Sequence, residues 1–267
     1  MPKQLIINSD DYGRTSDISR GIRESHTNGV VTSTTCMMNI PTTSADIEVA
    51  LRETPNLGLG VHLVLTAERP LLSREQLKTI TNDDGSFLKL PILLSKVNQI
   101  DVEEVKAEWH AQVELFVKTT GRNPTHLDSH HHSSYFSPAL FRAMLELAKE
   151  YDCAIRFPFT HDISRELEET FKEVPSLIKE FNPRRPDVFI VDFYDEKATH
   201  EELLGIINNV KDGSTEVMCH PGYVDDAFAK ESSYNKQRET ELEGLTDPAI
   251  KDAIQKNYIE LTTFANL

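Results

Sequence analysis

The chain has 267 residues, of which 39% are hydrophobic and 27% charged, and its formal net charge is −15. This length suffices for one large α/β domain, and we expect a single domain over residues 1–267. The negative charge argues against a nucleic-acid-binding protein, because no basic surplus is available to neutralise phosphates, and against attraction to an anionic membrane surface.

Cysteine usage and the N-terminus predict a cytoplasmic protein. The three cysteines cannot all pair, and none lies in a CxxC arrangement, so reduced thiols are expected. The first four residues lead directly into a predicted strand and leave no room for a signal peptide. No apolar run approaches the length of a membrane span.

Short β-rich runs alternate with helical patterns along the chain. In chain order the pattern predicts a strand at 5–7, a helix at 16–28, a strand at 30–38, a helix at 43–52, a strand at 57–65, a helix at 101–120, a strand at 125–129, a helix at 137–151, a strand at 154–157, a helix at 165–172, a strand at 188–191, a helix at 200–211, a strand at 216–219, helices at 236–245 and 248–256, and a strand at 258–261. We expect Ser16 to cap the first helix, and Trp109 to lie in the core because it follows the apolar spacing of its helix.

Seven or eight strands separated by helices predict a parallel βα architecture, either a closed barrel or an open doubly wound sheet. In both, the chemistry collects at the carboxyl ends of the strands. Four polar clusters lie at or near such ends, at residues 8–11, 62, 128–132 and 219–222. We therefore expect them to meet on one face.

Asp10 and Asp11 form the first of these clusters. Two adjacent carboxylates repel each other unless a cation or a proton intervenes, although Asp-Asp-Tyr-Gly is also ordinary turn chemistry. Successive strand residues point to opposite faces, so the pair can serve two roles only if the strand ends or bulges there. One carboxylate can then ligate a metal while the other acts as a base.

Imidazoles dominate the other clusters. His62 has apolar neighbours and needs a polar partner, and the run His130–His131–His132 offers three further metal ligands. Strand alternation would put His130 and His132 on one side and His131 on the other. One aspartate with two histidines leaves open positions for hydrolysis with a redox-inert metal or for oxygen chemistry with iron, and the additional carboxylate and histidine favour hydrolysis.

His220, before Pro221 and Gly222, suits a general acid that protonates a leaving group. The alternative is a nucleophilic dyad of Cys219 and His220. Adjacent strand residues point apart, so that pair has poor geometry.

Five stretches, in order along nearly the whole chain, resemble the YdjC-like carbohydrate deacetylases: residues 6–13, 29–35, 60–66, 124–132 and 216–222. The segments 232–234 and 238–239 also match. The resemblance implies a deformed TIM-like (β/α) barrel with mainly parallel strands, which hydrolyses the N-acetyl group of an amino sugar or short chitooligosaccharide, with or without a phosphate group. It also implies a homodimer.

The same resemblance assigns one divalent metal ion, Mg²⁺ or Zn²⁺, to Asp11, His62 and His130. It gives the catalytic base role to Asp10 and the acid role to His220. His131 and His132 match positions that are not ligands, and Asp128 is expected to orient neighbouring groups. The sequence departs from the family pattern at Ser9, at Tyr12 and at the pair 133–134, next to the site.

Some roles stay open at this level. Arg156 suits either a substrate contact or a structural salt bridge. Tyr135 and Phe136 are candidates for stacking on a sugar ring. The alternatives to a deacetylase are a metal-dependent phosphoesterase on a similar barrel and a non-catalytic sugar-binding protein.

Overall fold

The computed structural model describes residues 2–158 and 168–267. The strands are β1 (Lys3–Tyr12), β2 (Ser33–Cys36), β3 (Gly58–Leu63), β4 (His126–Ser129), β5 (Ala154–Ile155), β6 (Val188–Ile190), β7 (Gly213–Cys219) and β8 (Ile259–Leu261). The helices are α1 (Ser16–Thr27), α2 (Thr43–Glu53), α3 (Leu90–Lys96), α4 (Val102–Thr120), α5 (Pro138–Glu150), α6 (Glu168–Phe181), α7 (His200–Asn209), α8 (Phe228–Glu231), α9 (Lys236–Thr246) and α10 (Pro248–Lys256).

The strands form one parallel sheet in the order β5-β4-β3-β2-β1-β7-β6, and β8 pairs with the first residues of β1. The sheet curls into a half-barrel with helices around it, which confirms the predicted barrel-type fold. The described residues contain eight strands, within the predicted seven or eight. Parallel pairing brings the carboxyl ends of β1, β3, β4 and β7 to one edge.

The helix boundaries follow local capping chemistry. Thr15, not Ser16, caps α1: its side chain accepts a hydrogen bond from the Ile18 backbone N–H, so the prediction for Ser16 was wrong by one residue. Asp101 caps α4, and Gly121 ends it in the left-handed conformation. Trp109 is fully buried on this helix, as predicted.

The sequence pattern missed two short helices, α3 and α8, because neither is long enough to show a helical period. The predicted helix at 165–172 lies partly outside the described residues, and α6 is described from Glu168. Within the described residues, no helix is long and apolar enough to cross a membrane.

Candidate active site

The end of β1 carries two buried carboxylates with different surroundings. The β1–β2 register shifts between Ser9 and Tyr12, and Asp11 adopts a φ of 69°. This irregularity is a β-bulge. Because of it, the side chains of Asp10 and Asp11 no longer alternate strictly between the two faces of the sheet, as two separate roles require. Asp10 pairs with Arg156, whereas Asp11 pairs with Arg238 and also lies against two imidazoles.

Arg156 holds Asp10 and lies just beyond β5, with no exposed surface. Its two terminal nitrogens each donate to one Asp10 oxygen at 2.7 Å. Burial alone would raise the pKa of Asp10, but the Arg156 guanidinium overrides it and holds that pKa well below its ordinary value. Asp10 is therefore ionised and can accept a proton.

The same guanidinium binds two further buried carboxyls. It contacts Asp128 Oδ2 at 3.0 Å and Glu216 Oε1 at 2.7 Å. Burial raises the pKa of Glu216 to about 7, although Arg156 opposes the shift, so Glu216 readily takes up a proton. Of the two roles that the sequence left open for Arg156, the structural salt bridge is confirmed.

Asp11, His62 and His130 converge on one point. Asp11 Oδ1 lies 3.5 Å from His62 Nε2 and 3.2 Å from His130 Nδ1, and the two imidazole nitrogens are 3.3 Å apart. Asp11 Oδ1 is buried and makes no hydrogen bond of good geometry among the described residues. One carboxylate oxygen and two ring nitrogens thus face a common centre, as a metal ion requires.

Asp128 orients His62 from the opposite side of the ring. Its Oδ1 accepts from His62 Nδ1 at 2.7 Å, and its Oδ2 accepts from the Thr35 hydroxyl at 3.0 Å. A carboxylate on the second nitrogen fixes the tautomer of a metal-binding histidine. Burial disfavours the charged imidazole, but Asp128 outweighs it and raises the pKa of His62 to about 9.

The histidine run does not follow strand alternation. β4 ends at Ser129, and the segment that follows kinks at His131 and His132, whose φ values are 55° and 56°. The predicted grouping of His130 with His132 was therefore wrong. His131 Nδ1 contacts the Thr66 hydroxyl at 2.9 Å, and the His132 ring packs edge-on against Phe189.

His220 lies beyond β7, on the other side of Asp10. Its Nε2 is 3.8 Å from Asp10 Oδ2. Burial lowers the pKa of His220 to about 4, although the Asp10 carboxylate opposes the shift. Its ring lies beside two tyrosines, Tyr194 and Tyr234, whose centroids are 5.4 and 5.5 Å from that of His220.

The backbone of His220 is fixed by α9. Glu241 is fully buried and accepts hydrogen bonds from the His220 backbone N–H and from the Tyr234 hydroxyl. Cys219 is not part of a dyad, since its thiol donates to the Asn8 carbonyl at 3.4 Å and burial raises its pKa well above the ordinary value. This agrees with the poor geometry expected for that pair.

The carboxyls at this edge outnumber the guanidinium groups that contact them. The carboxyls that contact Arg156 or Arg238 are Asp10, Asp11, Asp128 and Glu216. Four carboxyls against two guanidinium groups leave two formal negative charges when all are ionised, and one when Glu216 is protonated; a bound cation would offset this excess. A second group that could hold a metal consists of Asp10, His62 and Asp128, but Arg156 already pairs with both of its carboxylates.

Arg238 was not assigned a role from the sequence, although its segment matched the family pattern. It reaches from α9 to Asp11 Oδ2 at 2.5 Å and, with the two imidazoles, holds the pKa of Asp11 well below its usual range against the effect of burial. Glu241 and Tyr194 were also missed, because they lie outside the strand ends and only packing brings them to the site.

These side chains line a cavity of about 650 Å³ that is open to solvent on one side. Its volume lies within the range for sites that bury a drug-sized ligand. Tyr135 is fully buried, and its hydroxyl donates to the Arg156 carbonyl, so the prediction that it stacks on a sugar was wrong. Phe136 packs partly buried against the core.

A curled parallel sheet with carboxylates and imidazoles at its carboxyl edge defines the class of barrel-derived α/β enzymes. The sequence model of the YdjC-like protein family matches residues 4–256. The chain belongs to this family.

Relatives and a solved structure match over nearly the full length. A carbohydrate deacetylase of Enterococcus faecalis is 36% identical over 270 residues, covering 99% of this chain and 98% of the relative. A carbohydrate deacetylase of Geobacillus stearothermophilus is 36% identical over 265 residues, with the same coverage of both chains. A crystal structure from Enterococcus faecalis, described provisionally as a cellobiose-phosphate cleavage protein, superimposes with a TM-score of 0.89 at 34% identity and covers 100% of this chain and 99% of that one.

Proposed function

We propose that this protein is a metal-dependent carbohydrate deacetylase that hydrolyses the N-acetyl group of an amino sugar or short chitooligosaccharide. The observation that carries the proposal is the arrangement around Asp10, which lies between His220 and the Asp11–His62–His130 group in one open cavity. Membership in a family whose full-length relatives are named carbohydrate deacetylases supports the substrate class.

Asp11, His62 and His130 would hold the metal ion. Their fit rests on the buried Asp11 oxygen without a hydrogen bond and on the two imidazole nitrogens that face it. Of the two candidate ions, this donor set favours Zn²⁺ over Mg²⁺, which prefers oxygen ligands only. A divalent ion bound there would polarise the acetyl carbonyl and a water molecule as a Lewis acid.

Asp10 acts as the general base. Its ionised carboxylate takes one proton from the attacking water as the water oxygen bonds to the acetyl carbon. Arg156 fixes both carboxylate oxygens and so sets the direction from which the proton arrives. Attack of the water places a negative charge on the acetyl oxygen of the tetrahedral intermediate, and the site must stabilise that charge.

His220 acts as the acid. Because its pKa is about 4, it begins the reaction neutral, and the proton that it delivers must come from within the site. Asp10 lies 3.8 Å away and holds the proton taken from water. That proton passes through His220 to the sugar nitrogen as the C–N bond breaks, which releases a free amine and acetic acid and returns Asp10 to its ionised form. The acetic acid then loses its proton to solvent and becomes acetate.

The test is acetate release from N-acetylglucosamine, N,N′-diacetylchitobiose and their phosphorylated forms, before and after chelation and with metal added back. We expect acetate from at least one sugar, loss on chelation and recovery with Zn²⁺. A protein that releases no acetate with any metal, or that releases phosphate instead, contradicts the proposal, and phosphate release would favour the phosphoesterase.

The homodimer and the cytoplasmic location remain predictions from the sequence. Light scattering of the purified chain tests the first, and cell fractionation tests the second.

A further inference from the structure

Two tyrosines beside His220 form a rigid aromatic stack. The rings of Tyr194 and Tyr234 are parallel within 3°, with centroids 4.5 Å apart. The Tyr234 hydroxyl donates to the buried Glu241 and accepts from the Asp195 backbone N–H at 3.2 Å. Tyr234 is thereby fixed, and it supports the ring of Tyr194.

Tyr194 is the solvent-exposed ring of the stack. Tyr234 covers one face, and the centroid of His220 is nearly equidistant from both rings, at 5.4 and 5.5 Å. The imidazole therefore lies beside the stack and not over its outer face. Tyr194 is 42% exposed and lines the cavity.

Tyr194 and His220 line the same cavity, so a substrate whose leaving group reaches His220 also comes close to the exposed Tyr194 ring. A planar aromatic ring with two side-chain torsions offers a large contact area at low conformational-entropy cost. The axial C–H groups of a pyranose ring form an apolar face of matching size. Ser233 and Glu231, whose side chains can hydrogen-bond sugar hydroxyls, line the same cavity.

We propose that Tyr194, supported by Tyr234, is a stacking platform for a pyranose ring of the substrate. Tyr194 is then a specificity-determining residue, which selects cyclic saccharides over other acetylated compounds. This inference rests on the proposed deacetylase function and adds to it the residue that recognises the sugar ring.

The experiment compares a substrate that has pyranose rings with one that has none. In Tyr194→Ala we expect KM for N,N′-diacetylchitobiose to rise about tenfold, the loss typical of one aromatic contact. Hydrolysis of 4-nitrophenyl acetate, which has no sugar ring, should stay within about twofold. Tyr194→Phe keeps the ring and should retain nearly wild-type KM. Tyr258→Ala removes a tyrosine that is 90% exposed and does not line the cavity, and it is the matched control.

Calorimetric binding of the deacetylated product, chitobiose, separates the two proposals because it does not depend on turnover. Weaker binding by Tyr194→Ala but not by Tyr194→Phe supports the platform even if no substrate is hydrolysed. Unchanged chitobiose binding in Tyr194→Ala overturns the platform, while acetate release by the wild type would still support the deacetylase. An equal loss on the sugar and on 4-nitrophenyl acetate also overturns it, since Tyr194 would then act on a step that both substrates share. A fall in kcat for the sugar with unchanged KM overturns it as well, since Tyr194 would then act only through His220.

Discussion

Asp10 and Arg156 are joined by two hydrogen bonds of 2.7 Å each, from the two terminal guanidinium nitrogens to the two carboxylate oxygens. This bidentate geometry keeps Asp10 ionised although it is buried, and it fixes the plane of the carboxylate. A buried base at the end of β1 therefore depends on a residue that follows β5.

The first prediction concerns Asp10 itself. In Asp10→Asn the amide cannot take a proton from water, so we expect kcat for acetate release to fall by about 10²–10⁴, the usual contribution of a general base. The bound metal should change little, whereas the melting temperature should fall because the buried Arg156 loses its charged partner, so kcat is compared at a temperature at which both proteins are folded. Asp17→Asn, at a surface ion pair with Arg20, is the control. A variant with full activity would remove Asp10 from the mechanism.

The second prediction concerns the buried charge cluster. Arg156→Lys cannot contact three carboxyls, and we expect it to lower the free energy of unfolding by about 3–5 kcal/mol, as when a buried ion pair is broken. Glu216→Gln should cost less than about 1 kcal/mol at pH 6, because the pKa of Glu216, about 7, already favours its neutral form there. Urea unfolding of both variants at pH 6 measures the two changes in the free energy of unfolding. Equal decreases in Arg156→Lys and Glu216→Gln would show that Glu216 is ionised in the folded protein.

The third prediction concerns the metal ion. We expect close to one Zn²⁺ per chain by elemental analysis of the wild type, and a large loss of bound metal in His130→Ala and Asp11→Asn. Because binding to the folded state stabilises it, added Zn²⁺ should raise the melting temperature of the chelated wild type but not of these variants. His110→Ala, at an exposed histidine outside the cavity, is the control. Full metal content in His130→Ala would exclude the proposed ligand set.

The fourth prediction separates the acid from the other groups. An amine leaves only when it is protonated, whereas 4-nitrophenolate leaves without a proton. In His220→Gln we expect kcat for the N-acetyl sugar to fall by about 10²–10⁴, while hydrolysis of 4-nitrophenyl acetate changes little. Parallel loss of both activities would mean that His220 does not serve as the acid.

The fifth prediction is a pH dependence of stability. Burial raises the pKa of Glu241 from 4.5 to about 8, although hydrogen bonds from His220 and Tyr234 and the charge of Arg238 oppose the shift. A folded-state pKa above the unfolded one means that the contribution to stability is complete below about pH 4.5 and is lost as the pH rises through about 8.

In the wild type, ionisation of Glu241 should lower the free energy of unfolding as the pH rises from about 4.5 to about 8. In Glu241→Gln this contribution to the decline should be absent. Urea unfolding across this range measures it. Glu239→Gln, an exposed neighbour on the same helix, should keep the wild-type profile. The same slope in wild type and Glu241→Gln would disprove the raised pKa.

The sequence was sufficient to group the central residues. Buried β-rich runs that alternate with helices predict a parallel sheet, and such a sheet brings its carboxyl ends together wherever the strands lie in order. Asp10, Asp11, His62, His130 and His220 therefore meet as expected. The sequence left open whether the strand ends or bulges at Asp11, and the structure shows the bulge.

Other features required the three-dimensional packing. His131 and His132 turn away from strand alternation because their backbone enters the left-handed region, which local pattern does not encode. Arg156 has two plausible roles in the sequence, and only its complete burial among three carboxyls decides between them.

What the sequence determined by itself is the kind of sheet and the chemistry at its edge, because strand period and residue type are local properties. What only the tertiary structure decided is how that edge is completed: Arg238 and Glu241 arrive from α9, and Tyr194 from the loop after β6. The approach of a helix or a loop to a distant strand end depends on packing between elements that are far apart in the chain. The hydrophobic periodicity of the sequence is a local property and does not predict such packing.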